Sequence, residues 1–233
     1  MSEKNPKLEG TNIIDCIPQT SYCPMKCTEC FYNNGFYRTL DEPLLPSLED
    51  AEGKIVRINS GHDSNINRAL VLSKTEQYKQ KFYNTSNPQF FFPAPVVFTC
   101  NQEEDSMGRE DFLWSANQLY VENIMFVRFR VNTWNLNACD DAVEIFTGKN
   151  IPVVLTFMRY KLYENVREIE NYYYKKHIIN SYWLIKEDAF YSIVNRYKNN
   201  NLVYVCGSKV YGKSTCKDCL NCETLYWKKK NNK

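Results

Sequence analysis

"PVVFTC", residues 95–100, and "IPVVLTFMRY", residues 151–160, are the stretches that decide the fold class. Both are nearly unbroken runs of apolar and β-branched residues. A strand that is covered on both faces has this composition, and such strands are typical of parallel sheets flanked by helices. Pro93 and Pro95, which cannot sit in the interior of a helix, introduce the first run. Both runs are therefore predicted to be buried strands.

The surrounding sequence alternates between strand-like and helix-like segments. Further strands are predicted at residues 12–17, 54–59, 81–86, 123–131 and 202–206. Helices are predicted at about residues 65–80, 136–148, 162–176 and 186–198, the first of them capped by Asp63 or Ser64. This order indicates βα units and a mainly parallel sheet. We predict an α/β fold, a partial (β/α)6-type barrel over residues 1–205, followed by a short cysteine-rich C-terminal extension over residues 206–233.

Composition excludes several classes of protein. The chain has 233 residues, of which 43% are hydrophobic and 24% are charged, as in soluble globular domains. Its longest apolar stretch, "NPQFFFPAPVVFTC", is short and interrupted by prolines, so no membrane span is predicted. The opening "MSEKNPKLEG" lacks the apolar core of a secretory signal, and we expect a cytoplasmic protein. A net charge of +2 does not support a large polynucleotide-binding face.

Seven of the ten cysteines fall into two tight groups, residues 23–30 and 206–222. In a reducing compartment, closely spaced cysteines are metal ligands more often than disulfide partners. The first group, "SYCPMKCTEC", places Cys23, Cys27 and Cys30 at C-x3-C-x2-C spacing directly after the first predicted strand. Zinc and cubane iron–sulfur clusters usually take four protein ligands, so three cysteines leave one metal position open.

This spacing, after a first strand in a chain of βα repeats, resembles the radical S-adenosylmethionine (SAM) family over about residues 10–205. More closely, the chain is similar to short phage-like members with no assigned substrate. The resemblance implies a [4Fe–4S] cluster on the three cysteines, with SAM bound to the open iron. It implies reductive cleavage of SAM to a 5′-deoxyadenosyl radical that acts on an unknown substrate. It also implies an external electron donor such as a flavodoxin or ferredoxin.

The resemblance assigns further residues to SAM. In the family, the loop after the second strand holds the amino group of SAM. Here that loop is "NSGHDSN", so Ser60, Gly61 and Asp63 are the candidates. An aromatic residue usually precedes the third cysteine, near the adenine. This chain has Glu29 there and places Phe31 and Tyr32 after the cysteine, so Tyr32 is the candidate. The alternative interpretation of residues 60–65 is a simple helix cap.

The second cysteine group has the pattern C-x9-C-x2-C-x2-C and comprises Cys206, Cys216, Cys219 and Cys222. A C-x2-C-x2-C run begins the ferredoxin-type ligand pattern, which favours a closed auxiliary [4Fe–4S] cluster. Zinc bound by four cysteines is the alternative. If the metal held by Cys23, Cys27 and Cys30 is zinc and not an iron–sulfur cluster, Cys16 can supply the fourth ligand.

Two functions from other classes stay open. One is a zinc-stabilised binding module with two cysteine sites and no catalysis. The other is a two-cluster electron carrier, although a carrier would be expected to have four cysteines for each cluster. Polar residues that follow predicted strands, where parallel α/β proteins carry their sites, are the remaining candidates for the substrate side. They are Asn101, Asn132, Thr133 and Arg159.

Overall fold

The computed structural model describes residues 5–20, 23–25, 27, 30, 41–89, 91–100, 108–178, 181–213 and 215–231. Its centre is a seven-stranded parallel sheet whose strands follow one another across the sheet in the order of the sequence. The strands are β1 (Ile13–Cys16), β2 (Ile55–Ile58), β3 (Lys81–Thr85), β4 (Val96–Cys100), β5 (Ile124–Val131), β6 (Val153–Phe157) and β9 (Val203–Val205). The predicted α/β class is thereby confirmed. Within the described residues, no helix has the length and apolar character needed to cross a membrane.

One face of the sheet is covered by the helices that connect the strands. These are α2 (Arg68–Thr75), α3 (Arg109–Gln118), α4 (Leu136–Gly148) and α5 (Glu187–Arg196), while α1 (Leu48–Ala51) is a single turn before β2. Because crossovers between parallel strands are right-handed, an unbroken strand order places such helices on one side. Ile58, Phe98 and Phe129 of the sheet pack there with Phe112 of α3 and Phe146 of α4.

The opposite face is covered at one end by the C-terminal segment, for which the sequence predicted no helix. Here α6 (Cys216–Cys219) is followed by α7 (Asn221–Asn231). Leu225 and Tyr226 of α7 are buried against Ile55, Phe82 and Val154 of the sheet. The cysteine-rich extension therefore supplies part of the hydrophobic core.

The helix predicted at residues 162–176 is wrong. Two short 3-10 turns lead instead into a hairpin of β7 (Tyr172–Lys175) and β8 (Tyr182–Ile185). Three consecutive tyrosines favour a strand, and aromatic residues opposite one another stabilise an antiparallel pair. Tyr174 lies opposite Trp183, with ring centroids 5.3 Å apart.

The helix predicted at residues 65–80 is confirmed in type but is shorter than expected. It begins only at Arg68, after Asn67, which adopts a left-handed conformation (φ 51°) and makes no capping hydrogen bond through its side chain. The predicted caps Asp63 and Ser64 therefore do not cap α2. The Asp63 side chain instead accepts hydrogen bonds from the Asn65 backbone, the Thr85 hydroxyl and the Ser86 backbone.

A buried ion pair joins the first two strands on the face opposite the helices. Asp15 and Arg57 are in register, and the guanidinium donates to both carboxylate oxygens at 2.6 and 3.1 Å. Burial by itself would raise the pKa of the Asp15 carboxyl. The charge and hydrogen bonds of Arg57, with further hydrogen bonds from Asn5 and Ser60, outweigh that effect and lower the pKa below its ordinary value.

We expect Asp15→Ala to lower the free energy of unfolding by about 3–5 kcal/mol, because it leaves the buried Arg57 without its counter-ion. A depressed carboxyl pKa stabilises the protein above the unfolded-state value of about 4, and this stability is lost as the pH falls further. Asp15→Asn should therefore flatten the acid limb of the stability profile, measured by urea unfolding at several pH values.

The matched control is Glu144→Ala, which breaks an ion pair with Arg109 on the protein surface. Solvent screens such exposed pairs, so stability should hardly change. Equal, small effects of Asp15→Ala and Glu144→Ala would contradict the structural role assigned to the buried pair.

Candidate functional site

The first cysteine group follows β1 at the carboxyl edge of the sheet. Cys23, Cys27 and Cys30 are partly exposed, and the backbone N–H of Cys30 donates to the carbonyl of Cys27 at 3.2 Å. Cys16 is separate from them. It is completely buried on the helix-covered face of the sheet, and burial raises the pKa of its thiol to about 12. The structure does not support Cys16 as the missing fourth ligand.

The chain segment that enters the cysteine loop is tied to the loop after β2. The side-chain amide of Gln19 donates to the carbonyl oxygens of Asp63 (3.3 Å) and Ile66 (2.5 Å). Ser60, at the start of the second loop, hydrogen-bonds to the Asp15 carboxylate. Gly61 follows it in a bend and is partly exposed. The structure thus ties the segment that leads into the cysteine group to the loop after β2.

The Asp63 carboxylate is an internal anchor between that loop and the end of β3. One oxygen accepts hydrogen bonds from the Thr85 hydroxyl and the Asn65 backbone N–H, both at 2.8 Å. The other accepts from the Ser86 backbone N–H at 2.5 Å. The residue is only 5% exposed. Its acceptor capacity is therefore largely used within the protein.

Three amide oxygens beside this anchor are buried without a hydrogen-bond partner among the described residues. They belong to Gln19, Asn59 and Asn65. The amide nitrogen of Asn59 does have a partner, the Ser64 hydroxyl at 3.1 Å. A buried acceptor left unpaired costs about 1–3 kcal/mol, so each one calls for an explanation. Their shared property is that they can accept hydrogen bonds from a ligand rich in donors.

Sequence reasoning missed these three acceptors. Asn59 and Asn65 lie within the quoted stretch "NSGHDSN", but the residues predicted there to hold the amino group were Ser60, Gly61 and Asp63. Gln19 has no motif that marks it. An available signal was the concentration of amide side chains immediately after two strand ends.

The second cysteine group lies on the sheet face opposite the helices. The Cys206 backbone N–H donates to the Leu155 carbonyl at 2.8 Å, which extends the pairing of β6 with β9. The Asn221 side chain donates to the Val205 carbonyl at 2.7 Å and holds the start of α7 against that strand. Cys216 and Cys222 pack against the apolar cluster that contains α7. The fold therefore gathers residues 206–222 at one end of the sheet.

The thiols of this group influence one another. The Cys219 thiol donates to Cys206, and this bond, opposed by burial and assisted by Arg128 and Arg130, lowers the pKa of Cys206 below its ordinary value. Burial raises the pKa of Cys222 to about 11. In the part of the chain that the structure describes, no three His, Cys, Asp or Glu side chains are already drawn together as a metal site.

Positive charge faces these cysteines from the sheet. Arg128 acts electrostatically on Cys206 and Cys222 and lies 3.4 Å from the side-chain oxygen of Asn84. Arg130 stands two residues further along β5, on the same face, as the alternation of that strand requires. The Thr156 hydroxyl beside Cys206 is buried and lacks a hydrogen-bond partner of normal geometry within the described residues. The positive charge of Arg128 and Arg130 favours the thiolate form of Cys206, whereas burial raises the pKa of Cys216 and Cys222.

The other predicted candidates have different placements. The Asn132 side chain accepts from the Trp134 backbone N–H at 3.2 Å and donates to the Tyr160 hydroxyl at 3.3 Å, so it shapes the turn after β5. The Arg159 guanidinium lies 5.0 Å above the ring of Tyr182. The Thr133 hydroxyl is buried without a partner in the described part of the chain. Tyr32 and Asn101 lie outside the described residues.

No protein-family model matches the chain, and neither the curated proteins nor the solved structures give a significant match. Functional inference therefore depends on the cysteine spacing and on the geometry around it.

We expect Asp63→Ala to lower the free energy of unfolding by about 3 kcal/mol, because the buried donors of Thr85 and Ser86 lose a charged acceptor. For a domain of this length the loss corresponds to roughly 6–12 °C in melting temperature. Thermal unfolding followed by circular dichroism measures it.

The control for Asp63 is Asp41→Ala, which removes an exposed aspartate and should change stability by less than about 0.5 kcal/mol. Thr85→Val removes one of the three donors to Asp63. Its loss of free energy of unfolding should lie between those of Asp63→Ala and Asp41→Ala. The anchor role would be excluded if Asp63→Ala unfolded at the same temperature as the control.

Proposed function

We propose that the chain is a radical SAM enzyme whose [4Fe–4S] cluster is held by Cys23, Cys27 and Cys30. The observation that carries this proposal is the set of unpaired amide oxygens of Gln19, Asn59 and Asn65, which follow β1 and β2 at the edge of the sheet where the chain leads into the C-x3-C-x2-C stretch. An open metal position and a group of hydrogen-bond acceptors suit a ligand that binds metal and also presents N–H donors. SAM has both properties.

The residues divide into two roles. The three cysteines supply thiolate ligands, and the loop after β2 supplies acceptors for the amino group of SAM. When bound, the cluster supplies the electron that cleaves SAM to methionine and a 5′-deoxyadenosyl radical. The chain itself positions SAM and excludes water around it.

Within the predicted SAM loop, the acceptors are assigned differently from the sequence expectation. The N–H donors of the amino group gain most from acceptors that are desolvated and unoccupied. Asn59 and Asn65 meet this requirement, whereas the Asp63 carboxylate already accepts three hydrogen bonds. We assign Asp63 to holding the loop, with Ser60 and Gly61 flanking the amino group.

The overall architecture that we propose is a partial (β/α)6-type barrel. The support for it is the unbroken parallel order of the strands, with helices on one face. In such an arrangement all strands point their carboxyl ends to one edge, where sites of this fold class are found. The proposed substrate is unidentified, and the electron donor is an external protein such as a flavodoxin or ferredoxin.

For the C-terminal group we propose a second [4Fe–4S] cluster on Cys206, Cys216, Cys219 and Cys222. A metal centre with four thiolate ligands carries net negative charge, and Arg128 and Arg130 provide positive charge beside it. Zinc has the same requirement and stays the alternative filling. Four protein ligands would close this site, so electron transfer or structure is the proposed role.

Anaerobic reconstitution with iron and sulfide should give about eight irons per chain, because each cubane holds four. Cys23→Ala/Cys27→Ala/Cys30→Ala should retain about four irons and should form no 5′-deoxyadenosine. Only the first cluster should change its electron paramagnetic resonance spectrum when SAM is added to the reduced protein.

The matched variant is Cys216→Ala/Cys219→Ala/Cys222→Ala. It should keep the spectral response to SAM, provided that circular dichroism shows a folded chain. Stoichiometric zinc without sulfide in protein kept free of oxygen would overturn both cluster assignments. A response confined to the C-terminal cluster would mean that the two roles are reversed.

The acceptor assignment makes a separate prediction. Asn65→Ala removes an unpaired oxygen and should weaken SAM binding about tenfold or more, the value of a hydrogen bond to a charged group. Equilibrium dialysis measures the binding of SAM. The iron content, and the melting temperature measured by thermal unfolding, should stay close to those of wild type. Unchanged binding in Asn65→Ala, together with intact iron, would remove Asn65 from the site.

A further inference from the structure

The buried ion pair between β1 and β2 lies beside the second cysteine group. Along β2, Ile55 stands two residues before Arg57 and therefore on the same face of the sheet. Phe82 is the register partner of Arg57 on β3, so its side chain lies on that face as well. Ile55 and Phe82 belong to the apolar cluster against which Cys216 and Cys222 pack. The side chain of Arg57 is therefore a close neighbour of these two cysteines.

The charge of Arg57 acts on both thiols. Burial raises the pKa of Cys216 and of Cys222. Among the charged side chains that oppose this effect, Arg57 is the strongest at Cys216 and the second, after Arg128, at Cys222. The Asp15 carboxylate acts in the other direction and raises the pKa of Cys216 further. The two members of the ion pair therefore have opposite influences on the thiolate form.

Asp15 uses only part of the hydrogen-bonding capacity of Arg57. A guanidinium is a rigid plane whose three nitrogen atoms all carry N–H donors. The Nε and Nη2 atoms of Arg57 donate to the two Asp15 oxygens at 2.6 and 3.1 Å. Its Nη1 atom makes no hydrogen bond to any residue that the structure describes. The side chain is only 12% exposed, so Asp15 fixes a guanidinium whose remaining donors have little access to water.

We infer that Arg57 is a positioning residue of the C-terminal metal centre, donating from Nη1 to the thiolate of Cys216 or Cys222 while Asp15 holds its other edge. The inference rests on the four-cysteine site proposed for residues 206–222, and it applies to zinc and to a cluster alike. Centres with four thiolate ligands carry net negative charge, and hydrogen bonds from neighbouring residues to the ligands strengthen metal binding. Because Asp15 competes for the same guanidinium, the ion pair limits how strongly Arg57 supports the metal.

The test uses the full chain with Cys23→Ala/Cys27→Ala/Cys30→Ala as the parent, so that the first cysteine group binds no metal. Co²⁺ alone is titrated into the reduced, metal-free protein without oxygen, and thiolate-to-Co²⁺ charge-transfer absorption reports binding. Arg57→Gln in this parent should weaken Co²⁺ binding about tenfold to a hundredfold, the usual cost of losing a residue that supports metal ligands. Asp15→Asn should tighten Co²⁺ binding, because the opposing charge is removed while the amide oxygen still holds the guanidinium. An ion pair with a purely structural role would give weaker binding in both variants.

Two further variants serve as controls. Arg57→Lys keeps the charge but loses the planar fork, so its Co²⁺ affinity should lie between those of the parent and Arg57→Gln. Arg109→Gln removes an exposed arginine from a surface ion pair and should bind Co²⁺ like the parent. Circular dichroism checks that each variant is folded, and the direction of the Asp15→Asn effect decides the matter if Arg57→Gln is not.

The outcomes separate the inference from the site on which it rests. Unchanged affinity in folded Arg57→Gln, or equal or weaker Co²⁺ binding in Asp15→Asn, would overturn the role of Arg57 and leave the metal site in place. A parent that binds no Co²⁺ would overturn the proposed C-terminal metal site itself, and the role of Arg57 with it.

Discussion

Every strand of the central sheet runs in the same direction, and this constraint determines where everything else can lie. Parallel strands in sequential order need a crossover each time, and right-handed crossovers bring the connecting helices to one face. The carboxyl ends of all the strands then meet at one edge. The loops after β1 and β2, which are far apart in the sequence, become neighbours there, and Gln19 joins them by hydrogen bonds.

The same constraint leaves a second sheet face that the connecting helices do not cover. The C-terminal helix α7 buries its apolar end with Leu225 and Tyr226. Towards the carboxyl edge the face becomes polar, with the Asp15–Arg57 pair, Arg128, and the cysteines of residues 206–222. Charges without partners are costly away from water, so this face requires compensating groups. The proposed metal–thiolate centre would provide negative charge beside Arg128.

The sequence by itself determined the α/β class, because long apolar strands such as residues 95–100 and 151–160 are stable only when both faces are covered. It also placed three closely spaced cysteines after β1, since local spacing is visible without a fold. Only the tertiary structure decided that Cys16 points into the helix-side core, that the Asp63 carboxylate anchors β3, and that Gln19 and Asn59 are left with buried, unpaired oxygens in the described part of the chain. The helix predicted at residues 162–176 is wrong because the local sequence does not show which segment pairs with the tyrosine-rich strand at residues 172–175. Its partner, Trp183, is supplied by a later segment, and contacts between residues distant in sequence outweigh local propensity.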